Sequence, residues 1–179
     1  MQENALRGSE KKFQLKHKSS FGAILVTLLI LVSTTVRSNE SADASRPELR
    51  EFAHRYASAW SSQDPALLAS FYTEDGILQV NGGEPAIGRA AIEAKARGFM
   101  EAFPDMVVEL ESVGMEGGRA VFNWLWTGHN TGPGGTGRAV RIRGYEEWTF
   151  GSGGLIRESL GHYDEEEYRR QVSRAATDR

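Results

Sequence analysis

From about residue 45 onward, hydrophobic positions recur first with a helical period and then in alternation. Leu49, Phe52, Ala53, Tyr56 and Trp60 share one side of a first helix. Ser45-Arg46-Pro47-Glu48 opens it as a capping box, a hydroxyl and a carboxylate three residues apart that satisfy the first free N–H groups. Asp64-Pro65 starts a second, short helix through Leu67, Leu68, Phe71 and Tyr72, with Asp as cap and Pro preset for the first turn. Asp75-Gly76 ends it, and residues 77–80 read as a brief strand. A third helix covers residues 89–103, with Ile92, Ala96, Phe99, Met100 and Phe103 on one side, and Pro104 stops it.

Residues 106–164 alternate instead. MVVELESVGM and RAVFNWLWTGHN join through Glu116-Gly117-Gly118, a hairpin signal. VRIRGYEEWTF and LIRESLGHY join through Gly151-Ser152-Gly153-Gly154. The stretch NTGPGGTG, residues 130–137, is too rich in glycine for regular structure and is expected to be mobile. Helices followed by a meander predict an α+β domain, with three N-terminal helices on one face of a curved antiparallel sheet. No internal repeat is visible.

The first 44 residues have a different character. Arg7, Lys11, Lys12, Lys16 and Lys18 precede an uncharged stretch, residues 19–36, whose centre reads FGAILVTLLILV. A basic flank before an apolar run predicts a signal peptide or a single transmembrane anchor, so the domain is expected to be exported or membrane-anchored. Residues 1–44 are accordingly assigned to this segment and a linker, and residues 45–179 to the folded domain. A misassigned start codon is the third option and would leave the domain cytoplasmic.

Composition narrows the function. The net charge is −3, so binding to nucleic acid, which needs clustered excess cations, is not expected. There is no cysteine, which removes disulfides and thiolate chemistry. The four histidines, His17, His54, His129 and His162, show no metal-ligand spacing. No metal and no cofactor are expected.

Alternation assigns candidate chemistry. On the strand over residues 141–150, Ile142, Gly144, Glu146, Trp148 and Phe150 share the side facing the helices. A carboxylate among those aromatics would be desolvated and its pKa raised, which suits an acid or base at neutral pH. The plainer alternative is a structural carboxylate held by a Tyr or Arg. On the last strand Ile156, Glu158, Leu160, His162 and Asp164 share one side, so His162 and Asp164 are roughly 7 Å apart. Asp164 also precedes Glu165-Glu166-Glu167-Tyr168 and could simply cap a short helix. His129 ends an aromatic strand beside the glycine-rich loop, where it could donate to a ligand carbonyl. Trp124, Trp126, Trp148, His162 and Tyr72 are candidate pocket walls. Val121 and Leu125 add an apolar outer face, which with Tyr145 predicts a homodimer.

RYASAW (55–60), FYTEDGIL (71–78), WTGHNTGPGGTGRAVRIRGYEEWTF (126–150) and GLIRESLGHYD (154–164) follow one another in an order that resembles a known family. It is the SnoaL-like (polyketide cyclase, ester cyclase) branch of the nuclear-transport-factor-two-like superfamily, over about residues 46–175. The resemblance implies a cone-like sheet with helices on its concave face, an apolar pocket and no cofactor. It also implies a general base at the position of Asp164, with His162 given no assured role and Gly161 standing where the family carries a bulky residue. Two readings follow. The domain binds a small hydrophobic molecule and moves a proton next to a carbonyl, in isomerase- or cyclase-type chemistry by Asp164 with Glu146 and His129, much as ketosteroid isomerase sets a carboxylate base in an apolar cavity. Alternatively it is a non-catalytic ligand-binding or protein-interaction module, since fold alone decides neither.

Overall fold

The computed structural model describes residues 47–173. The capping box at Ser45 and everything expected of residues 1–44 lie outside the described residues. Among the described residues no helix is long and apolar enough to cross a membrane. In chain order the elements are α1 (residues 47–61), α2 (Pro65–Ala69), β1 (Tyr72–Val80), β2 (Ala86–Ile87), α3 (Arg89–Ala102), β3 (Val107–Glu116), β4 (Arg119–His129) and β5 (Ala139–Phe150). A short 3-10 turn (Ser152–Gly154), β6 (Ile156–Tyr163) and α4 (Glu165–Val172) follow.

The domain is α+β, as its patterning predicts, and the strands form one curved sheet in the order β2-β1-β6-β5-β4-β3. The sheet is mixed rather than antiparallel. β3 to β6 form the expected meander, but β1 runs parallel to β6, with Leu78 opposite Ser159 and Val80 opposite Gly161. The β3–β4 turn is the two glycines Gly117 and Gly118, both at positive φ, which suits the right-handed twist of a two-residue hairpin.

The second helix is shorter than its apolar spacing predicts. Asp64 caps it by accepting the Leu67 N–H at 2.9 Å, yet it ends at Ala69. Phe71 and Tyr72 leave helical geometry because the Phe71 carbonyl accepts the Ile156 N–H at 2.9 Å, which starts the β1–β6 ladder. Tertiary pairing here overrides a local helical period.

The core lies between the helices and the concave face of the sheet. α1 contributes Ala53, Tyr56 and Trp60, α3 contributes Ile92, Ala96 and Met100, and the strands contribute Phe122, Trp124, Trp126, Ile142 and Trp148. The loop over residues 130–137 is tied down rather than free. The Asn130 amide donates to the Ala102 carbonyl at 3.1 Å and its oxygen accepts the Thr136 N–H at 2.9 Å, pinning the loop to the end of α3. A side-chain amide can replace the ladder that glycines cannot sustain.

Candidate functional site

Glu146 sits at the middle of β5 and is 6% exposed. Burying a carboxylate is costly unless donors meet it. Here all of them meet one oxygen. Tyr56 donates to Glu146 Oε2 at 2.9 Å, Trp148 Nε1 at 2.9 Å and Ser159 Oγ at 2.6 Å. The Tyr72 hydroxyl stands 2.6 Å from that of Tyr56. With the Tyr56 proton committed to the carboxylate, Tyr72 is the donor of that pair. Oε1 has no hydrogen-bond partner among the described residues.

Burial pushes the Glu146 carboxyl above its ordinary value, against the three donors, which pull it down. Burial, and then the charge of Glu146, push Tyr56 and Tyr72 well above the usual phenol range, so both stay protonated. Both parts of the sequence expectation for Glu146 therefore meet in one residue. It is desolvated, and it is held by a tyrosine.

Glu146 borders a cavity of about 60 Å³ between α1, α3 and the sheet. Trp124 and Trp126 from β4, Trp60 from α1, Phe99 from α3 and Tyr163 from β6 supply its aromatic wall. Leu78, Val80, Met106, Val108 and Gly161 complete it. No Lys, Arg, His, Asn or Gln lies among these residues. The indole N–H groups of Trp60, Trp124 and Trp126 are buried with no hydrogen-bond partner among the described residues.

Two glycines shape this space. A Cβ on Gly144 would overlap the Trp124 ring and the His162 carbonyl, so β5 is bare where the indole crosses it. A Cβ on Gly161 would meet nothing closer than 3.6 Å, so this position on the cavity wall has room for a methyl group. Behind the wall, Tyr168 of α4 stacks on Trp126 with ring centres 5.7 Å apart. α4 is held there by Gln171, whose side chain accepts the Arg141 N–H at 2.7 Å and donates to its carbonyl at 3.1 Å.

The other sequence candidates are placed elsewhere. Trp148 and Tyr72 stand behind Glu146 rather than on the cavity. Asp164 is exposed and caps α4, accepting the Glu167 N–H at 2.9 Å. His129 is exposed, with Nδ1 2.6 Å from Asp105 Oδ2 and its N–H donated to Oδ1 at 2.7 Å. These bonds from His129 hold Asp105 below the ordinary carboxylate value. His162 is on the outer face, its ring stacked on Tyr145 at 4.7 Å.

A register shift between Thr149 and Phe150 explains that last placement. It puts Ile156 inside but Glu158, Leu160 and His162 outside, while Ser159, Gly161 and Tyr163 take the inner side. Uninterrupted alternation from Ile156 therefore misassigned the face of every later residue. Ser159, Tyr163, Tyr56 and Trp60 are the site residues that this reading missed.

A family model for the SnoaL-like domain matches residues 53–159. The chain belongs to the SnoaL-like family. No curated protein matches it. Among solved structures it is similar to a putative SnoaL-like polyketide cyclase from a Jannaschia species, at TM-score 0.64 and 19% identity, covering 73% of this chain and 94% of that one. A putative hydroxylase from Streptomyces galilaeus matches at TM-score 0.60 and 21% identity, over 72% of this chain and 97% of that one. A hypothetical protein with ketosteroid isomerase-like fold from Catenulispora acidiphila, in complex with trimethylamine, matches at TM-score 0.61 and 17% identity. That match covers 68% of this chain and 92% of that one. These likenesses establish the fold of the SnoaL-like domain.

Proposed function

We propose that this SnoaL-like domain binds a small, largely apolar organic molecule in the cavity and that Glu146 is the group that exchanges a proton with it. The observation that carries the reading is the unequal state of the two carboxylate oxygens. Oε2 is saturated by three donors while Oε1, unpaired among the described residues, belongs to a residue on the cavity wall. Asp164 and His129, the other two candidates, are exposed and engaged with a helix cap and with Asp105. In a catalytic reading, Glu146 Oε1 takes a proton from the carbon next to a ligand carbonyl. The C–H electrons pass into an enolate held against the cavity wall.

A second reading, binding without chemistry, is favoured by the wall itself. The buried indole nitrogens have no accessible surface, so few donors are at hand for an enolate oxygen. The trimethylamine held by the Catenulispora protein makes small amines reasonable probes beside short ketones. Melting the protein with butanone and trimethylamine tests the shared core of both readings. At least one probe should raise the Tm of the wild type and of Asp164→Asn, while Gly161→Leu, which fills the cavity, should remove the response. A response that survives Gly161→Leu would place the ligand elsewhere.

We also propose a homodimer through the outer face of the sheet. Leu125 is buried within the chain, opposite Glu109 and Arg143, so the exposed apolar candidates on this face are Val107, 43% exposed, Tyr145, 41% exposed, and Ile87, 62% exposed. Tyr145→Glu should move the light-scattering mass from dimer toward monomer. A wild type already monomeric at high concentration ends the idea.

A further inference from the structure

Glu146 is a buried carboxylate with three neutral donors and no counter-charge. No Lys, Arg or His pairs with it among the described residues, and none lines the cavity. A buried charge left in this way is ordinarily matched by a partner of opposite sign. The surrounding wall fits such a partner. Trp60, Trp124, Trp126, Phe99 and Tyr163 present aromatic carbon, and the indole N–H groups, which would repel a cation, have no accessible surface. Aromatic walls around one carboxylate are the arrangement that favours alkylated ammonium groups, whose charge sits among C–H bonds.

We infer that the cavity takes a compact tertiary alkylammonium cation, its single N–H donated to Glu146 Oε1 and its alkyl groups against the aromatic wall. The degree of substitution follows from the wall. A tertiary ammonium gives its single N–H to Oε1 and turns only alkyl groups to the aromatic side chains, whereas the apolar wall offers almost nothing to the two further N–H groups of a primary ammonium. The size follows from the cavity, about 60 Å³, well under the roughly 150 Å³ of an apolar cavity that takes up benzene. The inference rests on the cavity being a ligand site. It then selects binding over carbonyl chemistry, because the cation occupies the one oxygen able to act as a base.

The experiment is titration of the full chain, followed by tryptophan fluorescence and calorimetry at constant ionic strength. The probes are trimethylammonium chloride, methylammonium chloride, butanone and tert-butanol, which has the shape of trimethylammonium without its charge. Trimethylammonium should bind at least tenfold more tightly than tert-butanol and than methylammonium. Glu146→Gln should lose at least tenfold of that affinity, and Gly161→Leu should lose binding of every probe. Should Glu146→Gln fail to fold, the Gly161→Leu arm and the charged-against-neutral comparison still decide. If tert-butanol or butanone binds as tightly as trimethylammonium, the cation is overturned while the ligand cavity stands. If trimethylammonium binds Gly161→Leu undiminished, the cation sits elsewhere and the proposal falls. If no probe binds the wild type, both the cation and the small-molecule reading fall.

Discussion

Glu146→Leu should lower the stability of the domain by about 3 kcal/mol or more, because leucine removes the shared acceptor of the Tyr56 hydroxyl, the Trp148 N–H and the Ser159 hydroxyl, and the Tyr72 oxygen can replace it for Tyr56 alone. Each orphaned donor costs about 1–3 kcal/mol, partly offset by removal of a desolvated carboxyl. For a domain of this size the Tm should fall by roughly 10 °C. Glu146→Gln keeps an acceptor in place and should fall much less. The two variants also separate charge from hydrogen bonding through pH. Burial raises the Glu146 pKa in the folded state, so its favourable contribution is complete below the unfolded carboxyl value and is lost as pH rises through the folded one. The stability of the wild type relative to Glu146→Gln should therefore decline as pH rises above the ordinary carboxyl range. Tyr56 and Tyr72 face the carboxyl but stay protonated throughout, and Asp105, shifted the other way, is common to both proteins. A difference that stays flat as pH rises contradicts a buried, titrating Glu146.

Gly144→Ala tests the wall instead of the carboxylate. The backbone there is ordinary strand, so the cost comes only from the added methyl group, which would overlap the Trp124 ring and the His162 carbonyl. Overpacking of this kind costs about 1–3 kcal/mol. The indole must also swing out of its slot, so the near-ultraviolet circular dichroism should change and the cavity should lose its ligand response. Gly161→Ala, whose methyl group would meet nothing closer than 3.6 Å, should change neither the melt nor the spectrum appreciably. Equal melts for Gly144→Ala and wild type would show that Trp124 does not lie across β5.

Much of this was visible in one sequence, for identifiable reasons. The faces of α1 and α3 were readable because Tyr56, Trp60, Ile92, Ala96 and Met100 keep a helical period and all are buried. Glu146 was readable because β5 alternates without interruption up to Trp148. What escaped was set by partners distant in sequence. Phe71 and Tyr72 look helical until β6 is present to pair with them. A Tyr on an apolar helix face looks like core, and nothing near Tyr56 announces a carboxylate 90 residues away. One irregularity in the β5–β6 register reversed the faces of His162 and Ser159.

The parallel pairing of β1 with β6 also bears on the order in which the molecule can assemble. β3 to β5 are joined by short connections and can zip together locally, whereas β1 must wait until β6, at the far end of the meander, has been laid down. The hydrogen bonds to Glu146 come from α1, β5 and β6, so the carboxylate has its complete set of donors only once β6 and α1 have both docked on β5. Until then it is a carboxylate among aromatic residues with some of its donors missing, and the most natural state for it is protonated. Arrival of the Ser159 hydroxyl on β6 strengthens the ionised form, so the stage of folding that brings β6 onto β5 should respond to acidity.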